Sequence, residues 1–300
     1  MKRRRFVELL GSYAALPLVG KEQSPQLITR AIPSSGERIP VIGMGTWQTF
    51  DVGRSSSGRA RLLPVLQAFF ASGGRLIDSS PMYGSSEPVV GDLLKQVSPR
   101  PPLFAASKVW IPGRRFGAIQ MEESRELWGI ARFDLMQVHN LLDWEGHLQT
   151  LKEWKSRGRL RYIGVTTSHG RRHDELERIM TREPLDFVQF TYNLSDRSAE
   201  SRLLPLARER RMAVILNRPL DGGDLFNRVR GRTVPEWAAE FDCHNWSQFF
   251  LKYVVSHPSV TCAIPATSQV AHMRENMGAC VGRLPDQAMR ARMADHFARA

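Results

Sequence analysis

The chain has 300 residues, of which 42% are hydrophobic, so it is too long for a small domain and can fill one large core. Its 42 lysine and arginine residues outnumber its 30 acidic residues and give a formal net charge of +12, which can indicate an anionic partner. The basic residues are spread along the whole chain, and their short clusters carry no interleaved aromatic residues, so we predict no nucleic-acid partner.

The N-terminal residues have the composition of an export signal. A basic start is followed by a short apolar stretch, residues 7–20, which is too short to cross a bilayer as an ordinary transmembrane helix. Arg3, Arg4 and Phe6 form a pattern that resembles the twin-arginine signal. Glu8 and the lack of an obvious cleavage site leave open the alternative of a basic N-terminus on a cytoplasmic protein.

From this pattern we predict an export signal and linker over residues 1–30 and one folded domain over residues 31–300. The predicted partner is the twin-arginine export machinery, and the predicted location is the periplasm. No repeat or domain linker interrupts the remainder of the chain.

A β-hairpin is predicted directly after the linker. Residues 27–29 and 38–40 flank a Pro-Ser-Ser-Gly-Glu turn at residues 33–37. We expect this hairpin to cover the bottom of the structure that follows.

Short apolar runs and amphipathic helices then alternate to the end of the chain. Strands are predicted at residues 41–44, 75–78, 103–107, 135–139, 162–165, 187–190, 213–216 and 260–264. Helices are predicted at residues 58–72, 87–97, 117–130, 144–157, 171–181, 199–210, 245–256, 271–281 and 286–297. Because the strands are too uniformly apolar for half-exposed strands, they indicate a parallel sheet buried on both faces. Eight βα units predict an α/β fold, a (β/α)8 TIM barrel closed at its bottom by the hairpin.

Four polar side chains lie at or just beyond three consecutive strand ends: Asp78, Tyr83, Lys108 and His139. Taken singly, each has a structural explanation, such as a helix cap for Asp78 or a solvated loop for Lys108. In a barrel, however, the carboxyl ends of the strands meet at one mouth, where active sites are found. We therefore predict that the four residues form one catalytic group.

Such a group suits the reduction of a carbonyl. A hydride added to the carbonyl carbon leaves an alkoxide that needs a proton, and an unperturbed phenol is a weak donor. An ammonium beside the phenol lowers its pKa, a carboxylate holds that ammonium charged, and a histidine can orient the carbonyl oxygen. A metal site fits less well, because the group contains one histidine and no carboxylate at ligand spacing from it.

The sequence around these four residues resembles the aldo/keto reductase family, and the resemblance covers residues 39–279. The family's I-D-T-A-x-x-Y-G motif appears at residues 77–84, its S-K at 107–108 and its D-L-x-x-x-H at 134–139. The resemblance implies an NAD(P)H-dependent oxidoreductase with a TIM barrel. It also implies Tyr83 as general acid, Lys108 and Asp78 as the residues that tune its pKa, and His139 as the orienting residue.

The resemblance also implies a set of cofactor-binding residues: Gly45, Thr46, Thr166, Thr167, Gln189, Asn217, Arg218, Leu220, Thr267, His272, Glu275 and Asn276. Several depart from the family's pattern. Thr167 replaces an amide side chain, and Asn217 stands where many members stack a tyrosine on the nicotinamide. Ala266 and His272 stand where many members place a lysine and an arginine for the 2′-phosphate. The resemblance therefore implies NADPH as the cofactor and leaves NADH open.

Trp47 and Trp110 follow strand ends and are predicted to form the apolar wall of the substrate site, with core packing as the alternative. The long loop at residues 220–245 is expected to fold over the cofactor's pyrophosphate. A low-turnover dinucleotide-binding or sensing protein on the same fold is the main alternative function, and a metal-dependent hydrolase is a weaker one. The three cysteines, Cys243, Cys262 and Cys280, show no metal or redox spacing and are predicted to be unpaired thiols.

Overall fold

The computed structural model describes residues 26–99 and 101–299, so the predicted signal motif lies outside the described residues. Eight parallel strands form one sheet in sequential order. They are β3 (Met44–Gly45), β4 (Leu76–Asp78), β5 (Phe104–Val109), β6 (Phe133–Val138), β7 (Leu160–Thr166), β8 (Phe187–Thr191), β9 (Ala213–Asn217) and β10 (Cys262–Ala263). Parallel bridges from Ile42 to Ala263 and from Gly45 to Ala266 join the last strand to the first. The sheet therefore closes into the predicted barrel.

The first barrel strand is shorter than predicted. Residues 41–43 make single bridges and hydrogen bonds to Ala263 instead of a continuous ladder with β4. Gly43 lies where a Cβ would be 2.8 Å from the carbonyl oxygen of Leu76, so the chain passes too close there for any larger residue.

Within residues 26–99 and 101–299, ten α-helices surround or cap the barrel. They are α1 (Ser56–Ala71), α2 (Ser86–Leu94), α3 (Arg114–Trp128), α4 (Trp144–Ser156), α5 (His173–Arg182), α6 (Leu203–Glu209), α7 (Asp224–Arg228), α8 (Trp246–Val255), α9 (Val270–Gly278) and α10 (Gln287–Ala298). Side-chain oxygens of Ser55, Asn245 and Asp286 accept the backbone N–H groups that begin α1, α8 and α10. These caps explain why the helices start within two residues of the sequence prediction.

Two regions of the prediction were incomplete. The helix predicted at residues 199–210 is divided into a 3₁₀ turn, Ser198–Glu200, and α6. The long loop at residues 220–245 contains α7 and 3₁₀ turns at Asp221–Gly223 and Glu236–Phe241. Segments this short carry too few residues for a helical period to show in the sequence.

The N-terminal hairpin pairs β1 (Thr29–Ala31) with β2 (Arg38–Pro40) in antiparallel register. Ile32 and Ile39 are fully buried against apolar residues from the first half of the barrel strands. Glu37 contacts Arg161 and accepts a hydrogen bond from the hydroxyl of Tyr162 at 2.9 Å. The hairpin thus closes the bottom of the barrel, as predicted, and leaves the opposite mouth open.

The three cysteines are all buried and unbridged, as predicted. In residues 26–99 and 101–299, no helix combines the length and the apolar composition that crossing a bilayer would require.

Candidate active site

The strand ends deliver the four predicted catalytic residues to the open mouth of the barrel. Asp78 is the last residue of β4, Lys108 lies in β5, and His139 directly follows β6. Tyr83 lies in the turn between β4 and α2, where its N–H donates to the carbonyl of Ser80 at 2.9 Å. The parallel strands therefore bring together residues that are up to 61 positions apart in sequence.

The turn that carries Tyr83 depends on its neighbours. Gly84 has a φ of +57°, and a Cβ there would be 2.4 Å from a carboxylate oxygen of Asp51. That carboxylate accepts hydrogen bonds from the N–H of Ser85 at 2.9 Å and from its hydroxyl at 2.7 Å. A larger residue at position 84 would displace this clamp, so the glycine fixes where the phenol points.

Asp78 and Lys108 form a fully buried ion pair, with exposed side-chain fractions of 1% and 0%. The Nζ of Lys108 contacts Oδ1 of Asp78 and donates to the carbonyl of Ser79 at 2.8 Å. The other carboxylate oxygen, Oδ2, accepts from the amides of Gln137 at 3.3 Å and Gln189 at 3.2 Å. Burial is the largest single influence and would lower the pKa of Lys108. The charges and hydrogen bonds of Asp78 and Tyr83 together outweigh burial and raise that pKa above its ordinary value.

Tyr83 lies against this pair, with the Nζ of Lys108 4.9 Å from the centre of its ring. The residue as a whole is half-buried, but its hydroxyl end is surrounded by protein atoms. Burial raises the pKa of Tyr83, and the opposing effect of Lys108 does not cancel it. Lys108 thus acts on the pKa of Tyr83 in the predicted direction, but desolvation is the larger effect, so the net pKa of the phenol in the protein alone is raised.

His139 is buried and neutral. Its Nδ1 lies 2.9 Å from the hydroxyl oxygen of Ser80, which itself accepts the N–H of Met82 at 3.2 Å. Because that oxygen already accepts a hydrogen bond, its own hydrogen is free to point at Nδ1, which favours the proton on Nε2. Burial and the charge of Lys108 lower the pKa of His139 to about 2. The ring packs edge-on against Tyr83, with 5.6 Å between ring centres.

A cavity of about 530 Å³ opens at this mouth. Most of the predicted site residues line it: Gly45, Thr46, Trp47, Asp78, Tyr83, His139, Asn217, Arg218, Leu220, Thr267, His272, Glu275 and Asn276. It extends from the catalytic group, past the loop after β9, to α9. One cavity is thus lined both by Trp47 and by most of the predicted cofactor-binding residues.

Other predicted residues lie behind the cavity wall or outside it. Lys108, Thr166, Thr167 and Gln189 are buried, with exposed fractions of 2% or less. The hydroxyl oxygen of Thr166 accepts the backbone N–H of Asn140, which lines the cavity, at 3.1 Å. Trp110 lies outside the cavity wall, 41% exposed, with its ring centre 6.5 Å from that of His139.

The segment after β9 is held by its own contacts. Asn217 donates to the carbonyl of Thr167 at 2.8 Å and accepts from the hydroxyl of Thr191 at 2.7 Å. Arg218, with a φ of +49°, donates to Asp221 at 3.0 Å. Both polar ends of Asn217 are therefore occupied, whereas Arg218 lines the cavity and its guanidinium has more N–H donors than its contact with Asp221 uses.

At the far end of the cavity, Thr267 accepts the N–H of Gln269 at 3.1 Å, and Asn276 accepts from the hydroxyl of Ser247 at 2.5 Å. Ala266 and His272 are exposed.

These residues fit a dinucleotide in two respects. The cavity is lined by residues from the catalytic group, the loop after β9 and α9, and the buried hydroxyl oxygen of Thr167, behind the cavity wall, has no hydrogen-bond partner among the described residues. Within the described part of the chain, no group of three histidine, cysteine, aspartate or glutamate side chains is arranged to hold a metal.

Sequence reasoning missed two contributors to the site. Gln137 contacts Asp78, and Ser80 contacts His139. Gln137 lies two residues before His139, so the alternation of a strand directs both side chains to the same side. A polar residue at an interior position of an apolar strand was the signal that could have identified it.

Comparisons with known proteins agree with this arrangement. A model of the aldo/keto reductase family matches residues 41–294. Aldo-keto reductase YhdN of Bacillus subtilis is 27% identical over 227 residues, which span 71% of this chain and 66% of that protein, just under two thirds of its length. The structure of aldo-keto reductase AKR11C1 from Bacillus halodurans superposes with a TM-score of 0.74 at 18% identity, covering 91% of this chain and 96% of that one. An aldo/keto reductase from Klebsiella pneumoniae, crystallised with NADP and acetate, gives a TM-score of 0.69 at 22% identity, covering 87% and 93%.

Proposed function

Since the chain belongs to the aldo/keto reductase family, a family of NAD(P)H-dependent oxidoreductases, we propose that it reduces an aldehyde or ketone with NADPH. The observation that carries this proposal is the buried Asp78–Lys108 ion pair packed against Tyr83 at the mouth of the cavity. An ammonium held against a phenol has a direct use when a proton must be delivered to an oxygen that gains charge.

Tyr83 is the proposed general acid. Its raised pKa keeps the proton on the hydroxyl oxygen until a carbonyl oxygen becomes basic enough to take it. Lys108 then stabilises the phenolate that remains, and Asp78 keeps the ammonium charged and in place. NADPH, when bound, supplies the hydride.

His139 is the proposed orienting residue. A neutral ring with its proton on Nε2 can donate one hydrogen bond to the carbonyl oxygen without competing as an acid. Trp47 lines the cavity and is the proposed apolar wall for the substrate, whereas Trp110 can contribute from the rim.

The proposed cofactor contacts follow the cavity. Arg218 is proposed at the pyrophosphate and Thr267 with Asn276 at the adenosine end, and all three line the cavity. Thr166, Thr167 and Gln189, which are buried behind the cavity wall, are proposed at the nicotinamide end from the family's pattern. The Klebsiella relative, crystallised with NADP, supports NADPH as the partner. Because Ala266 carries no charge at the adenosine end, the preference for NADPH over NADH is proposed to be modest.

The proposal predicts that Tyr83→Phe removes carbonyl reduction by about 100-fold or more while NADPH still binds. Reduction would be followed by NADPH absorbance with a broad panel of aldehydes and ketones, and binding by fluorescence titration with NADPH and NADH. Tyr162→Phe is the matched control, because that hydroxyl contacts Ser35 and Glu37 at the closed end of the barrel.

Equal rates for the wild type and Tyr83→Phe would remove the proposed acid. Cofactor binding with no turnover of any carbonyl would favour the alternative of a low-turnover dinucleotide-binding protein. Failure to bind either dinucleotide would contradict both.

A further inference from the structure

The carboxylate of Asp78 is shared between a lysine and two buried amides. Lys108 contacts Oδ1, whereas Gln137 and Gln189 both donate to Oδ2. Gln137 is 0% exposed and is not among the residues that line the cavity, and its side-chain N–H donates to Asp78. We propose that Gln137 is a positioning residue that keeps the Asp78–Lys108 pair charged, an inference that rests on the function proposed above.

The register of the barrel fixes where this amide lies. Gln137 on β6 is paired directly with Lys108 on β5, and with Gly164 on β7. Paired residues of neighbouring strands project to the same side of a sheet, so the side chains of Gln137 and Lys108 lie next to each other in the barrel interior. The amide reaches Asp78 beside the lysine that it supports.

The other end of the same amide is unsatisfied. No described residue donates a hydrogen bond to Oε1 of Gln137. Burying an amide oxygen without a partner costs free energy that a methionine or leucine at this position would avoid. The amide oxygen gives no reason for a glutamine at this buried position. The reason is the side-chain N–H, which donates to Asp78.

The physical effect concerns where the proton rests. A buried ammonium and carboxylate can transfer the proton and become a neutral pair, because burial penalises both charges. Each N–H donated to the carboxylate stabilises its ionised form and so keeps the proton on Lys108. A charged Lys108 in turn opposes the effect of burial on the pKa of Tyr83.

Other titratable groups act on this pair and set the background of any pH measurement. They are Tyr83, Glu87, His139 and Cys262. Burial raises the pKa of Glu87 and Cys262 and lowers that of His139. Removing Gln137 leaves the direct contacts of these groups in place, so a change in the titration of Tyr83 reports on Asp78 and Lys108.

The test is Gln137→Met, a change of similar size that removes the donor. With saturating NADPH, the single-turnover rate of carbonyl reduction is expected to fall about tenfold, while the Kd for NADPH stays within about twofold. Independently of turnover, tyrosinate absorbance is read within milliseconds of a pH jump. Subtracting the same protein with Tyr83→Phe isolates the titration of Tyr83, which is expected to move to higher pH in the variant.

The matched control is Gln248→Met, which removes another buried glutamine that contacts neither Asp78 nor Lys108. It is expected to lower stability and to leave the titration of Tyr83 unchanged. Should Gln137→Met fail to fold, Gln137→Leu provides the same measurement.

A Tyr83 titration identical in Gln137→Met and the wild type would overturn the inference, even if the variant were slower or less stable. If the wild type bound NADPH but reduced no carbonyl, the proposed function would fail, and the tyrosinate titration would still decide the role of Gln137.

Discussion

At the scale of single residues, burial is the largest influence on the protonation of both Tyr83 and His139. Lys108 opposes the raised pKa of Tyr83 without reversing it, and it adds to burial in lowering the pKa of His139. Both shifts keep the neutral form: a protonated phenol and an uncharged imidazole. A site that must hold one transferable proton benefits from that state.

The neutral His139 should make the protein sensitive to mild acid. Its pKa is lowered from 6.5 to about 2 in the folded chain, so as pH falls through 6.5 only the unfolded chain gains a proton there. Stability is therefore present above the unfolded pKa and is lost as pH falls. From about pH 7 to about pH 5, this residue should remove about 2 kcal/mol of unfolding free energy.

The measurement is urea unfolding of the wild type and His139→Gln at both pH values. The variant should lose about 2 kcal/mol less than the wild type over that interval. An equal loss in the two proteins would show that His139 takes up a proton in the folded state.

At the scale of secondary-structure elements, a buried lysine holds together the region behind the cofactor end of the cavity. Lys252 on α8 is 0% exposed, and its Nζ lies within hydrogen-bond distance of four backbone carbonyl oxygens, which share its three N–H donors. Those of Phe241 and Asp242, at 2.8 and 3.1 Å, end the long loop after β9. Those of Val281 and Arg283, at 2.9 and 3.1 Å, belong to the turn after α9. One ammonium thus joins α8, the end of the loop after β9 and the turn after α9.

Lys252→Met should lower the free energy of unfolding by about 3 kcal/mol or more, because it leaves buried carbonyl groups without a donor. Lys95→Met is the control, since Lys95 is 68% exposed and Asp92, at the surface, is its ion-pair partner among the described residues. Urea unfolding would compare the two. A loss no larger than that of the control would mean that water replaces the ammonium.

At the scale of the whole molecule, the two ends of the barrel differ in kind. The hairpin and its ion pairs close the bottom, whereas the mouth carries the cavity and every proposed catalytic residue. This is the division that parallel strands impose, since all of their carboxyl ends face one way.

Export of the folded protein is a separate proposal at this scale. We propose that residues 1–30, which include Arg3 and Arg4, direct twin-arginine export, a route that carries folded proteins. A fusion of residues 1–35 to a reporter active only outside the cytoplasm should be exported, and Arg3→Lys combined with Arg4→Lys should prevent it. A parent fusion that stays in the cytoplasm would end this proposal.

The prediction of elements from sequence succeeded where a pattern repeats. The buried strands and long helices produced clear periods, so eight strands and the long helices were predicted within a few residues. Shorter segments, such as α7 and the divided helix at residues 198–209, depend on contacts from the rest of the fold and leave no such period.

The sequence by itself determined the barrel, its closed bottom and the residue types at its mouth, because periodicity, turn residues and strand-end motifs are local properties. Only the tertiary structure decided that Lys108, Gln137 and Gln189 converge on Asp78, and that the pKa of Tyr83 is raised. These facts depend on distances between different strands and on exclusion of water from the barrel interior. Neither quantity exists until the strands have closed around the site.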